Sequence, residues 1–166
     1  MAKRLAEARD EHNVAPQDVE EVTVTIHPQY LDVCNIWEPA TGLEAKFSYR
    51  LTTALCLYGY KTASLDTYTD EICREPALVA LRNRVKVATD DSMTSTAARV
   101  DVTAGNGNTT SIDHDIATPL PLEKRQARVM EKAKTLIGAQ ADNVHSKVAM
   151  METSNKPFKL TDFLND

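Results

Sequence analysis

The residues best suited to chemistry lie at the start of one helical segment in the first half of the chain. Two cations and two hydroxyl groups stand close together there: Lys46, Ser48, Tyr49 and Arg50. The first turn of a helix has backbone N–H groups without partners, and these groups attract anions. The residue types therefore suit the binding of a carboxylate.

The rest of the chain is organised around the segment 38–59, which contains these residues. It begins as a loop with Pro39 and Gly42, continues as an apolar helix, and can end at Gly59. Five residues recur at helical spacing and predict one buried face: Phe47, Leu51, Ala54, Leu55 and Tyr58. The alternative for the two cations is that they lie on the solvated outer face, since charged side chains are usually exposed.

The same segment resembles the signature of a known family. The stretch Thr41-Gly-Leu-Glu-Ala-Lys-Phe-Ser48, followed by a helix of small residues that ends at Gly59, is similar to the MmgE/PrpD family, which includes 2-methylcitrate dehydratase and cis-aconitate decarboxylase. Further segments resemble the family in the same order along the chain: 15–24, 27–35, 75–81 with 85–87, and 117–124. The resemblance covers nearly the whole chain but only the C-terminal part of the family's usual length.

The resemblance implies a lyase that acts on small di- and tricarboxylates, of the 2-methylcitrate dehydratase type in propionate metabolism, without a metal or organic cofactor. Lys46 and Ser48 belong to the family motif, and they would hold a carboxylate and donate a hydrogen bond to it. Arg50 is predicted to bind substrate beside them. Several relatives place a tyrosine three residues after the motif serine, but this chain has Leu51 there, and Tyr49 lies on a different face.

The sequence leaves the catalytic residues unidentified, with His27 and Tyr49 as candidates. Proton abstraction next to a carboxylate needs a positioned base, and His27, at the end of a predicted strand, could face a pocket. In the family most acid–base residues belong to a large helical domain, which is expected to be absent here. Turnover is therefore expected to need a second copy or a helical-domain partner. Two alternatives stay open: a non-catalytic module that binds a carboxylate or a protein, and an inactive relic.

Composition excludes several other classes of function. A net charge of -5 disfavours nucleic acid as a partner, because phosphate binding needs a basic face. No apolar run approaches the ~20 residues of a membrane span, and no apolar signal core follows Met1, so a cytoplasmic protein is predicted. His114 lies between Asp113 and Asp115, but neighbouring strand residues point to opposite faces, so no metal site is expected.

Hydrophobic periodicity predicts an α+β fold with a small mixed or antiparallel sheet and packed helices. Strands are predicted at 21–27, 84–88, 97–103 and 109–115, and helices at 2–12, 75–83, 122–137 and 142–151. The turn 105–108 makes the last two strands a hairpin. The resemblance implies the same organisation: an N-terminal helix in 1–19 as a remnant of the helical domain, a lid-like domain at 20–118, and C-terminal helices in 119–166.

Two apolar features lie outside these elements. The only tryptophan, Trp37, lies in the aperiodic segment 29–39 and is expected to enter a core or an interface. The C-terminal tail has an apolar edge that is expected to dock onto the body, formed by Leu160, Phe163 and Leu164.

Overall fold

The computed structural model describes residues 2–12 and 14–153, without the side chains of 152 and 153. The chain divides into two compact units at Thr118 and Pro119. The helices of the first unit are α1 (Ala2–Glu11), α2 (Gly42–Ala45), α3 (Tyr49–Leu57) and α4 (Pro76–Arg82), and those of the second are α5 (Leu122–Ile137) and α6 (Gln140–Thr153). The strands are β1 (Val19–Ile26), β2 (Val85–Thr89), β3 (Ala97–Ala104) and β4 (Thr109–Asp115). The predicted α+β class is confirmed.

The strands form a mixed four-stranded sheet in the order β2-β1-β3-β4. β1 pairs with β2 in parallel and with β3 in antiparallel, and β3 and β4 form the predicted hairpin. The parallel pair requires a long crossover connection, and that connection contains α2, α3 and α4. One face of the sheet is buried and apolar, as the alternating pattern predicts, through Val22, Val24, Ile26, Val85, Val100, Val102 and Ile112.

The opposite face of the sheet is polar. Arg99 on β3 forms an ion pair with Asp113 on β4, and Lys86 on β2 pairs with Glu21 on β1. Cross-strand pairs of this kind suit a face in contact with water. The helices of the first unit therefore need to cover one face of the sheet only.

Helix α3 is the centre of the helical layer, because it packs against α1, α4 and β2. Leu51 and Leu55 are fully buried on it, and burial of one such side chain contributes about 1.5–3 kcal/mol. The prediction that Phe47 and Tyr58 share this buried face is wrong, since their exposed fractions are 42% and 37%. The reason is that the helix is interrupted: Phe47 lies between α2 and α3, and Tyr58 lies after the last turn of α3.

The second unit is a pair of helices, α5 and α6. Gly138, with a φ of 59°, follows α5 and ends it where the sequence predicts. Ala141 is buried between the helices, whereas Val129, Val144 and Val148 stay exposed. The expected docking of Leu160, Phe163 and Leu164 lies outside the described residues. The interpretation of the terminal helices as remnants of a helical domain stays a prediction.

None of the described helices is both long enough and apolar enough to cross a membrane.

Gly42→Ala is expected to destabilise the first unit. A Cβ atom at this position would lie 2.2 Å from the backbone oxygen of Tyr68, so the backbone would have to shift. Overpacking of this kind costs about 1–3 kcal/mol in the free energy of unfolding, which urea denaturation measures. Gly105→Ala is the control, because the nearest atom to its Cβ would lie at 3.7 Å, in ordinary contact. Equal urea midpoints for the two variants would contradict the prediction.

Candidate functional site

The candidate site is built on the interruption between α2 and α3. Thr41 begins α2, and its hydroxyl accepts a hydrogen bond from the N–H of Glu44 at 3.3 Å. Ser48 begins α3, and its Oγ accepts from the N–H of Leu51 at 3.2 Å. A serine in this position satisfies a free N–H of the first turn and favours a helix start, which is why α3 begins here.

A second segment, residues 34–37, runs alongside this interruption. The N–H of Tyr49 donates to the carbonyl of Cys34 at 2.9 Å, and the N–H of Ile36 donates to the carbonyl of Phe47 at 3.0 Å. Asn35 and Ser48 form an isolated antiparallel β-bridge between these bonds. The motif is thereby held by a segment that precedes it in the chain.

The two segments, together with α1, α3 and β1, enclose a cavity of about 190 Å³. Lys46, Ser48 and Tyr49 line it, so the structure brings together three of the residues that the sequence indicates. The remaining lining residues are hydroxyl, thiol and apolar groups: Ala2, Leu5, Val24, Cys34, Thr52, Thr53 and Cys56. Lys46 is the one cation among the described residues that line the cavity.

Lys46 is exposed, and its ammonium group is not held by an acid. Its Nζ lies 5.6 Å from the centre of the Tyr68 ring, which is within the range of a cation–π interaction. No carboxylate of the described residues lies within ion-pair distance of it. An ammonium group in this state can pair with an incoming anion.

Ser48 is almost fully buried, with an exposed fraction of 1%. The bond that its Oγ accepts is its one side-chain hydrogen bond within the described part of the chain. Since a hydroxyl group can also donate, the proton of Ser48 can bond a ligand in the cavity.

Tyr49 is placed as a hydrogen-bond donor rather than as a base. Its hydroxyl donates to the carbonyl of Tyr30 at 3.3 Å. Burial, with a smaller effect of the Cys34 thiol beside it, raises the pKa of Tyr49 to about 12. The phenol therefore keeps its proton at neutral pH.

His27 does not line the cavity. It precedes a 3₁₀ turn, Pro28–Tyr30, and its Nδ1 accepts a hydrogen bond from the N–H of Gln29 at 3.3 Å. This bond orients the ring on its own turn. A catalytic role for His27 stays a prediction.

Arg50 is also outside the cavity lining, and it is buried, with an exposed fraction of 4%. The interpretation that it lies on the solvated outer face is therefore wrong. Its Nη1 donates to Oδ1 of Asn35 at 2.6 Å, and its Cζ lies 3.7 Å from the centre of the Trp37 ring. Burial lowers the pKa of the Arg50 guanidinium.

Trp37, which the sequence analysis expects in a core or an interface, is not part of the core but lies on Arg50, and its place in an interface stays a prediction. Its exposed fraction is 58%, so one face of the indole contacts the guanidinium while much of the ring stays in water. The stacking of the ring on a cation stabilises an aromatic side chain at this exposed position.

Sequence reasoning missed several groups of the site. Thr52 and Thr53 follow Ser48 and Tyr49 by one helical turn, so the periodicity of α3 contains a signal for them. Cys34 and Asn35 reach the site through the pairing of distant segments, and nothing in their local sequence indicates it.

A larger cleft, of about 710 Å³, lies elsewhere in the first unit, where β1 begins and the β3–β4 hairpin turns. Its charged groups have mixed signs, with Arg84 against Asp18 and Glu20. Arg84 is already bound to the backbone, since its Nη1 donates to the carbonyl of Val19 at 2.6 Å. The smaller cavity has the residue types that suit a carboxylate.

Within the described residues, no three His, Cys, Asp or Glu side chains are grouped as metal ligands.

Tyr49 is expected to make the stability of the fold depend on pH above about 10. Tyrosines of the unfolded chain lose their protons near pH 10, whereas Tyr49 in the folded chain does so near 12. Above pH 10 the unfolded state binds fewer protons than the folded state, so the free energy of unfolding falls as the pH rises. In urea denaturation at pH 9 to 11, Tyr49→Phe should show a shallower fall than the wild type. Tyr60→Phe, which changes an exposed tyrosine, should show the same fall as the wild type. Identical slopes for the wild type and Tyr49→Phe would count against the prediction.

Comparison with known proteins gives one family. The model of the MmgE/PrpD C-terminal domain matches residues 2–155, which include both segments of the site and all of the described residues. A search of curated proteins finds no match. The chain therefore belongs to the MmgE/PrpD family, of which it contains the C-terminal domain.

Proposed function

We propose that this chain is the lid portion of an MmgE/PrpD lyase that acts on small di- and tricarboxylates, by a dehydration of the 2-methylcitrate type. The observation that supports it is the cavity in which Lys46, Ser48 and Tyr49 converge at the start of α3. An ammonium group with no ion-pair partner among the described residues and the hydroxyl proton of Ser48 are donors, and donors are what a carboxylate requires, whereas the proton of Tyr49 is donated to the carbonyl of Tyr30.

The size of the cavity fits one end of such a substrate. Sites that enclose a whole small molecule usually have about 300–1,000 Å³, whereas this cavity has about 190 Å³. It can take a carboxylate arm on Lys46 while the reacting carbon stays outside. In this proposal the chain binds and orients the substrate, and the reacting carbon meets groups from elsewhere.

The described lining of the cavity has no histidine or carboxylate to act as a base for proton abstraction. Tyr49 keeps its proton, and burial raises the pKa of the Cys56 thiol to about 11, so neither group is ionised at neutral pH. A general base works best when its pKa is near the working pH. In the proposal the base therefore comes from a helical domain, on a second copy or on a partner subunit.

Exposed apolar side chains lie in or beside the two segments of the candidate site, and they support the proposal of a partner. They are Val33, Ile36, Trp37, Leu43 and Phe47, all in or beside the two segments that form the site. Clustered apolar surface of this kind is typical of an interaction site. A cytoplasmic location and a role in propionate metabolism go with the proposal and stay predictions.

The second candidate function is a module that binds a carboxylate without turning it over. The same observation favours it, since the described lining has donors and no base. The two candidates share the binding step and differ in whether a partner completes the chemistry.

Lys46→Ala is expected to weaken citrate binding by about 10- to 100-fold, because a charge-assisted hydrogen bond is worth about 1.5–3 kcal/mol. Isothermal titration calorimetry at constant ionic strength measures the dissociation constant. Lys61→Ala is the matched control, since it removes an exposed lysine that does not line the cavity. Equal losses in the two variants would remove Lys46 from the site.

The purified chain alone is expected to give no unsaturated product from 2-methylcitrate or citrate in a spectroscopic dehydratase assay, because the described lining of the cavity has no histidine or carboxylate to act as base. Light scattering on the same sample shows whether the chain forms a homo-oligomer. This measurement distinguishes a second copy of the chain from a different subunit as the partner. Turnover by a monomer would contradict the need for a partner and would make His27 and Tyr49 the residues to mutate.

A further inference from the structure

The guanidinium of Arg50 is a buried cation whose charge is not neutralised within the described residues. Its exposed fraction is 4%, and its one hydrogen bond goes to the neutral amide of Asn35. No described carboxylate lies within ion-pair distance of it. A buried charge is costly unless it is paired, so this arrangement calls for an explanation.

One edge of that guanidinium is free. The buried Nε has no hydrogen-bond partner, and no described residue accepts a bond from Nη2. Nε and Nη2 point the same way and form an edge at which arginine binds a carboxylate through two parallel hydrogen bonds. Nη1, on the other side of the guanidinium, donates the hydrogen bond to Oδ1 of Asn35.

Trp37 lies over this guanidinium, with its ring centre 3.7 Å from Cζ. The indole is already 58% exposed, so a move away from Arg50 would uncover less than half of its surface. The contact that it would lose is one cation–π contact, which is weaker than two charge-assisted hydrogen bonds. An anion can therefore displace the indole.

Arg50 does not line the cavity that contains Lys46, but it follows a lining residue in the chain. Tyr49 and Cys34 line the cavity, and each directly precedes one of the bonded pair, Arg50 and Asn35. A ligand with one carboxylate on Lys46 would thus have a second cation next to the cavity wall.

We propose that Arg50 is a second carboxylate subsite, and that binding of a di- or tricarboxylate displaces Trp37 from it. This inference rests on the proposed function, and it adds a requirement for at least two carboxylates in the ligand. Lys46 binds the first as a point charge, and the Nε–Nη2 edge of Arg50 binds the second in two parallel bonds.

The test uses Trp37, the only tryptophan of the chain, as its own reporter. Saturating citrate is expected to move the emission of Trp37 to longer wavelength and to raise its quenching by acrylamide, because the indole loses a protected face. Lys46→Ala should show the same shift at higher citrate concentration. Arg50→Lys, which keeps the charge but lacks the two-donor edge, should show no shift and bind citrate about tenfold more weakly or worse.

Calorimetry on the same samples separates this inference from the proposed function. Citrate binding with heat but without a change in Trp37 emission would overturn the subsite and leave the proposed function standing. The absence of heat would overturn both. Citrate binding by Arg50→Lys with the affinity of the wild type would likewise overturn the subsite. If this variant does not fold, the emission of Trp37 in the wild type still tests the subsite.

Discussion

The hydrogen bond from the N–H of Leu51 to Oγ of Ser48 is the interaction on which the site depends. This bond caps the start of α3 at Ser48, three residues after Ala45, the last residue of α2. The motif therefore forms two helices with an interruption between them. A continuous helix would carry Lys46 and Arg50 on one face, four residues apart. The interruption gives them different surroundings: Lys46 reaches the cavity, and Arg50 lies under Trp37. The hydrogen bond that caps α3 therefore determines the different surroundings of Lys46 and Arg50.

The segment that precedes the motif fixes this geometry. Its backbone pairs with residues 47–49, and its side chains at Asn35 and Trp37 hold the guanidinium of Arg50. A single neutral amide and an aromatic face are weak compensation for burial of a full charge, and a permanent structural role would be served better by a carboxylate partner. The arrangement is understandable if the free edge of Arg50 has another partner during function, as a carboxylate subsite requires.

Local pattern was enough to predict most of the fold, and it failed where distant segments meet. The alternation of Val22, Val24 and Ile26 predicts β1, and the turn before Asn108 predicts the hairpin, because both signals lie within a few residues. The exposure of Phe47 and the burial of Arg50 could not be predicted in this way. Both depend on the segment 34–37, whose pairing with the motif has no periodic signal. For the site, the residue types indicated Lys46, Ser48 and Tyr49, while the cavity that unites them required the fold.

The N-terminal helix belongs to the same compact unit as the cavity of the candidate site. Leu5 of α1 is 1% exposed, and it forms part of the cavity wall together with Ala2. At the other end of α3, Nη1 of Arg9 donates to the carbonyl of Cys56 at 2.8 Å, where a cation is favourable for the helix dipole. Helix α1 thus contacts α3 both at the cavity and at its C-terminal end. If α1 is a remnant of a helical domain, as the family resemblance implies, that remnant still forms one wall of the cavity through Ala2 and Leu5.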